Sequence, residues 1–215
     1  MKHVLSDLWE TRTDSPFPGL TTHAYLWTPA HVLFYSVASE QDFTALADLG
    51  GVDAQYLSHR DEAGPMLKRI ADRFGSRLHA PQDDLPDITP HARVDIPLTG
   101  RHTDANGIEI IPTPGHSPGS VCYLVSGAEG RYLFTGDTLF RDTEGRWRAG
   151  YIESFHRTED AATIADSVRG IADLTPDYVI SSAFQGDSAV HRIEGDQWRS
   201  HVAQAIAGLP SAAHT

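Results

Sequence analysis

Three segments of this chain share one format: an apolar, strand-like run breaks into a short polar loop that offers a histidine or an aspartate. They are Tyr56-Leu-Ser-His-Arg-Asp-Glu-Ala-Gly64, Ile111-Pro-Thr-Pro-Gly-His-Ser-Pro-Gly-Ser120 and Leu133-Phe-Thr-Gly-Asp-Thr-Leu-Phe140. A side chain presented where a strand ends stands on stiff backbone. Imidazoles and carboxylates from several strand ends can therefore converge at fixed separations, which is what holding a metal ion requires. The candidate ligands are His59, Asp61, His116 and Asp137, and Asp61 and Asp137 are also the candidate catalytic groups, able to orient or deprotonate a water. Gly115 and Gly136 immediately precede His116 and Asp137, where a small residue lets the backbone turn tightly. Each group also has a plainer use. His116 or Asp137 could serve a turn through hydrogen bonds, and Asp61-Glu62 could be the acidic start of a following helix.

The elements that must position these loops alternate along the chain. Residues 24–28 and 32–37 are predicted as strands from their apolar, aromatic and β-branched content, with Pro29-Ala-His31 turning between them. A helix over 40–49 would carry Phe43, Leu46 and Leu49 on one side and stop at Gly50-Gly51; a second over 65–74 would carry Met66, Ile70 and Phe74 and stop at Gly75. Between them, a strand over 54–58 leaves His59 at its end. Val94, Ile96 and Leu98 alternate as in a half-buried strand, and 107–111, 121–125 and 132–135 read as three more. Further on, Thr158 is expected to cap a helix with Glu159 and Asp160 in its first turn and Ile164, Val168 and Ile171 as its buried stripe. A strand over 177–181 and a closing helix over 196–207, with Trp198, Val202 and Ile206 inward, complete the order, and 211–215 is expected to fray. The succession implies an α/β (α+β) chain of two stacked sheets with helices on their outer faces. Repeats, low-complexity tracts and linkers are all missing, so residues 1–215 are read as one domain.

Composition narrows the partners. The chain has 215 residues, 40% of them hydrophobic and 21% charged, which is ordinary for a packed globular protein. Its formal net charge of -12, with no Lys/Arg-rich run, argues against a nucleic-acid backbone or an anionic membrane as partner. Cys122, the one cysteine, lies in the apolar run Val121-Cys-Tyr-Leu-Val125 and reads as a small buried hydrophobe, which fits a reducing cytoplasm. Met1-Lys-His-Val-Leu-Ser-Asp-Leu-Trp-Glu10 has no long apolar stretch, so a cytoplasmic protein is expected.

The Pro112-Thr-Pro-Gly-His116-Ser-Pro-Gly-Ser120 loop, followed after a strand pair by Leu133-Phe-Thr-Gly-Asp137-Thr-Leu, resembles the metallo-β-lactamase fold superfamily, especially its glyoxalase-like hydrolases. The resemblance implies a four-layer αββα sandwich with a metal site at one edge of the sheets. It also exposes departures. The family's first metal loop is typically T-H-x-H-x-D-H, whereas this chain reads Leu57-Ser-His-Arg-Asp-Glu-Ala-Gly64. Aligned on the strand end, His59 takes the first histidine and Asp61 the second, with Ala63 and Gly64 in place of the last two ligands. Slid by two residues, His59 becomes the second histidine, Asp61 the aspartate and Glu62 the last ligand. The late Pro-Gly-His-Gly-like turn is replaced by Ser181-Ser-Ala-Phe-Gln-Gly186, and the aspartate after the second strand by Phe34-Tyr-Ser-Val37. What remains implies a mononuclear site for one divalent ion, Zn²⁺, Fe²⁺ or Mn²⁺, acting on a small-molecule ester, thioester or similar carbonyl compound. Two rivals stand beside it: a degenerate member that holds no ion and serves binding or regulation, and a non-haem iron oxidoreductase. His79 stands at a strand end where superfamily members often carry a supporting histidine but is read first as structural packing, His23 and His156 are read as ordinary polar residues, and Trp147 as loop packing, a pocket wall or the anchor of a homodimer.

Overall fold

Alternation along the strands decides which side chain enters which core. In Val121–Gly127, Val121, Tyr123 and Val125 enter the core between the sheets, while Cys122 and Leu124 enter the core beneath the late helices. Gly130–Gly136 divides likewise, Tyr132 and Phe134 inward and Leu133 outward, and so does Tyr178–Ser181, with Ile180 inward and Val179 outward. Residues 1–185 and 188–210 are described by the computed structural model; Gly186 and the tail over 211–215, expected to fray, lie outside the described residues.

The first sheet has seven strands in the order Lys2–Leu5, Leu8–Glu10, Tyr25–Trp27, Val32–Phe34, Ala54–Tyr56, Arg77–Pro81, Ile96–Leu98. From Val32–Phe34 onward its strands run parallel, because each pair is joined by a crossover carrying a helix, Phe43–Asp48, Pro65–Phe74 or Leu85–Ile88. The second sheet has six, in the order His102–Thr103, Glu109–Pro112, Val121–Gly127, Gly130–Gly136, Tyr178–Ser181, Val190–Arg192. Its outer face is covered by Asp160–Gly170, through Ile164 and Val168, and by Trp198–Ala207, through Trp198, Val202 and Ala205. On the far side of the first sheet, Leu67 and Ile88 from the intervening helices pack on Leu57, Leu78 and Ala80. The result is the α/β sandwich of two sheets and two helical layers that the order of elements implied. No helix among the described residues is long and apolar enough to cross a membrane.

Several local expectations are corrected. The helix expected over 40–49 opens as a 3-10 turn, Glu40–Asp42, because Ser39 Oγ accepts the Gln41 amide there, and continues as Phe43–Asp48. Pro65–Phe74 buries Leu67 and Ile70, with Met66 and Phe74 only partly covered, because the helix serves two cores at once. Thr158 does not cap the late helix, which begins at Asp160, whose carboxylate turns back to accept the Arg157 amide. Trp147 lies in the hairpin Leu139–Arg141/Trp147–Ala149, 3% exposed and packed edge-on against Trp198, so it is unavailable as the anchor of a homodimer. Cys122 is fully buried, and burial pushes its thiol up to about 11.

His79 is packing rather than chemistry. It stacks on Tyr56 at 4.0 Å within the first sheet, and neither ring nitrogen meets a hydrogen-bond partner. Burial pushes its pKa down to about 4. An ordinary histidine in the unfolded chain titrates near 6.5, so between these values the unfolded chain binds the extra proton. Folding stability is therefore unaffected above about pH 6.5 and falls as pH drops toward about 4, by up to about 3 kcal/mol. His79→Phe is expected to flatten the decline of the thermal midpoint between about pH 7 and about pH 4.5. A decline as steep as in the parent protein would place the titration elsewhere, with His191, also pushed down to about 4 by burial, the next group to replace.

Candidate metal centre

The three polar loops meet at one edge because the two sheets are tied together there. The Val121 amide donates to Ser58 O at 2.9 Å, and the Tyr123 hydroxyl donates to Leu57 O, so the end of Ala54–Tyr56 is fastened to the second sheet. Thr113 N donates to Ser120 O at 2.7 Å and closes the loop that carries His116. Gly136 has φ +53, and a Cβ there would lie 2.1 Å from Ser58 Oγ, so only glycine lets the Asp137 loop pass against the His59 loop.

All four expected ligands come together. His59 Nε2 lies 3.5 Å from Asp137 Oδ2 and 4.0 Å from Asp61 Oδ2. His116 Nε2 lies 3.5 Å from Asp61 Oδ2 and 3.6 Å from Asp137 Oδ2. Four ligands at ~2.0–2.2 Å from a tetrahedral centre are separated by ~3.3–3.6 Å, so these spacings are close to those of a coordination shell. The ligand atoms of His59, Asp61 and His116 all lie within 4.8 Å of one another, close enough to share one ion.

The outer atoms of these groups are already engaged. His116 Nδ1 stands 2.8 Å from Gly150 O, which can only accept, so the proton is on Nδ1 and Nε2 carries a lone pair. His59 Nδ1 faces Ser58 Oγ at 2.9 Å and Glu62 Oε1 at 3.2 Å, which likewise places its proton on the outer side. Asp137 Oδ1 accepts from the Ser182 hydroxyl and from Ala183 N at 3.2 Å, leaving Oδ2 to the centre. Asp61 is the open member, its side chain 64% exposed. His116 Nε2 is buried and has no hydrogen-bond partner. Four lone-pair atoms thus face one another, an arrangement that only a cation, metal or proton, relieves. The pKa directions agree. Burial works against charge on His59, but the Asp137 and Glu62 carboxylates outweigh it and raise its proton affinity. Burial also opposes charge on Asp137, yet His59 and His116 hold that carboxyl well below the usual range. His116 lowers Asp61, against the effect of burial.

Four supporting residues escape sequence reasoning. Glu62, a ligand in one alignment of the first loop, turns away to accept from Ser58 N and Ser58 Oγ and backs His59 from its Nδ1 side. Tyr35 occupies the place where an aspartate was expected, at φ +71; its hydroxyl donates to Ile180 O at 2.8 Å and accepts from Gly136 N at 2.9 Å, fixing the backbone just before Asp137. Asp84, fully buried, accepts from Arg60 N, Ser117 Oγ and Gly119 N, and so clamps the His59 loop to the His116 loop. His156, read as an ordinary polar residue, places Nε2 2.9 Å from His116 O. His23, by contrast, bonds Thr11 O and stacks on Phe184, apart from the four ligands.

Residues 50–183 match the family model described as the metallo-beta-lactamase superfamily. A probable metallo-hydrolase of Methanocaldococcus jannaschii is 29% identical over 108 residues, 50% of this chain and 44% of that protein. A probable hydroxyacylglutathione hydrolase of Schizosaccharomyces pombe is 46% identical over 43 residues, 20% of this chain and 17% of that one. This chain therefore matches less than half the length of either curated relative. Among solved structures, a metallo-beta-lactamase from Pontibacter korlensis superposes with a TM-score of 0.71 at 14% identity, covering 96% of this chain and 98% of that one, a likeness of fold.

Removing the Asp84 carboxylate takes the acceptor from three donors at once, two of them buried. Asp84→Ala is expected to cost about 3 kcal/mol or more in urea unfolding, and Asp84→Asn, which keeps one acceptor oxygen, distinctly less. An unaltered midpoint in both variants would show that the two loops hold each other without the clamp.

Proposed function

We propose that this chain, which belongs to the metallo-beta-lactamase superfamily, is a metal-dependent hydrolase with a single-ion site that acts on an ester, thioester or similar carbonyl compound. The observation that carries this reading is the buried, unpartnered Nε2 of His116, with its lone pair aimed among His59, Asp61 and Asp137. The donor set fits the group: His59, His116, Asp61 and Asp137 would hold one divalent ion, and two imidazoles with two carboxylates suit Zn²⁺, Fe²⁺ or Mn²⁺. When bound, such an ion supplies Lewis-acid polarisation of a carbonyl and lowers the pKa of a water.

The protein's own groups then divide the work. Asp137, fixed by Ser182 and the Ala183 amide, serves as a rigid ligand. Asp61, exposed and held ionised beside His116, is the group placed to take a proton from an incoming water. Glu62 and the Gly150 carbonyl hold the two imidazoles in the tautomer that directs Nε2 inward and raise their basicity. The local likeness to a probable hydroxyacylglutathione hydrolase supports an acyl compound as substrate.

Elemental analysis after loading with Zn²⁺, Mn²⁺ or Fe²⁺ tests the reading. One equivalent of ion in the parent protein, lost in His116→Ala, is the expected result; no ion under any loading condition overturns it. Glu62→Gln is expected to weaken ion affinity about 10–100-fold without unfolding the chain. Because the ion must displace the proton that His59 otherwise retains, and its carboxylate neighbours raise its proton affinity above that of an ordinary histidine, ion affinity should rise as pH is raised beyond the ordinary histidine range. A pH-independent affinity would remove His59 from the ligand set.

A further inference from the structure

The turn over residues 150–156 grips His116 twice. Gly150 O accepts from its ring at 2.8 Å, and His156 Nε2 stands 2.9 Å from its main-chain oxygen. The Ile152 amide donates to His156 Nδ1 at 2.8 Å, so the His156 proton is on Nε2 and is donated to His116 O. Phe155 N and His156 N both donate to Ile152 O, at 2.9 and 2.8 Å, and close the turn on itself. The turn is thus held by its own hydrogen bonds and by the ligand loop.

On this tethered turn sit exposed apolar side chains. Among the described residues the exposed large hydrophobics are Ile96 at 37%, Ile152 at 40% and Phe155 at 79%. Scattered exposed hydrophobics need no explanation. Two within four residues, on a turn bonded at both ends to His116 and with its His156 ring 5.4 Å from the His116 ring, are a preorganised apolar surface beside the loop that carries that histidine. We propose that Ile152 and Phe155 form the subsite for an apolar acyl or aryl substituent of the substrate, a proposal that rests on the hydrolase reading above. Two side chains suit a short hydrocarbon chain or ring, but are far too little to anchor a second copy, since stable interfaces bury about 1,200 Å² or more. The exposed Glu153, between the two apolar side chains, disfavours an anionic substituent on this turn and leaves a neutral one.

Two hydroxamic acids share one ion-binding head and differ only in the tail, so they isolate the subsite. Titrated into ion-loaded protein, octanohydroxamic acid is expected to bind about tenfold or more tightly than acetohydroxamic acid. In Phe155→Ser that ratio should fall toward one while the affinity for acetohydroxamic acid stays unchanged, and Ile96→Ser should leave the ratio intact. Equal affinity of both probes for ion-loaded parent protein overturns this proposal alone, as does a ratio that survives in Phe155→Ser with Ile152→Ser. A Phe155→Ser variant that alters the oligomeric state on size-exclusion chromatography but not the ratio makes the turn a contact between copies, and also overturns it. Failure of both probes to bind a protein that elemental analysis shows to carry no ion overturns the hydrolase reading and this one with it.

Discussion

A buried imidazole nitrogen with a lone pair and no donor to meet is costly, and the edge of this sandwich is built around one. His116 Nε2 is that atom, and it is committed to its state by the Gly150 carbonyl on the other side of the ring. A backbone carbonyl cannot donate, so Nδ1 must, and Nε2 is left to face Asp61 and Asp137. His59 is held in the same sense by Ser58 and Glu62. The rest of the site follows from the need to keep these two rings turned inward, because rotating either one would break its outer hydrogen bond.

Holding them requires that two sheets with different strand directions end at a common height. Tyr35 and Tyr123 do this from inside the core, each spending a buried hydroxyl on a main-chain group of the opposite sheet. Asp84 does it from outside, joining two loops whose strands never pair. Such polar crossings are stable only when every lone pair and proton is matched, since an unmatched one in a low-dielectric interior costs the full desolvation of that group. They therefore fix the height of the loops far more sharply than apolar packing can, which tolerates repacking.

This division explains what was legible in the sequence. His116 and Asp137 stood out because a strand, a glycine and the ligand are neighbours in the chain, a local pattern with a local cause. Pro65–Phe74 was legible to the residue because Pro65 starts it and Gly75, at φ +69, ends it. Asp84 was not legible: its partners lie 24, 33 and 35 residues away, so no local pattern marks it. Tyr35 was hidden in an apolar run, and Glu62 was visible as an acid but not as one turned from the centre toward Ser58. The short strands Lys2–Leu5 and Leu8–Glu10 were missed because three or four residues carry too little periodicity, and their pairing is decided by the neighbouring strand Tyr25–Trp27.

A carboxylate at Asp61 bears on more than ligand hardness. Two neutral imidazoles with Asp61 and Asp137 would sum to zero charge around a divalent ion, so on the proposed reading an ion would be held there without those four groups leaving a net charge. Without an ion the same four groups carry two negative charges beside Glu62, and the cheapest relief is a proton on His59, which is the direction its pKa takes. Proton and metal would therefore compete to balance the same carboxylates, and Glu62 bears on both outcomes, since it steadies a charged His59 and would also make its ring a better ligand. A carboxylate behind the imidazole serves both states, and the exposed Asp61 completes whichever one is present.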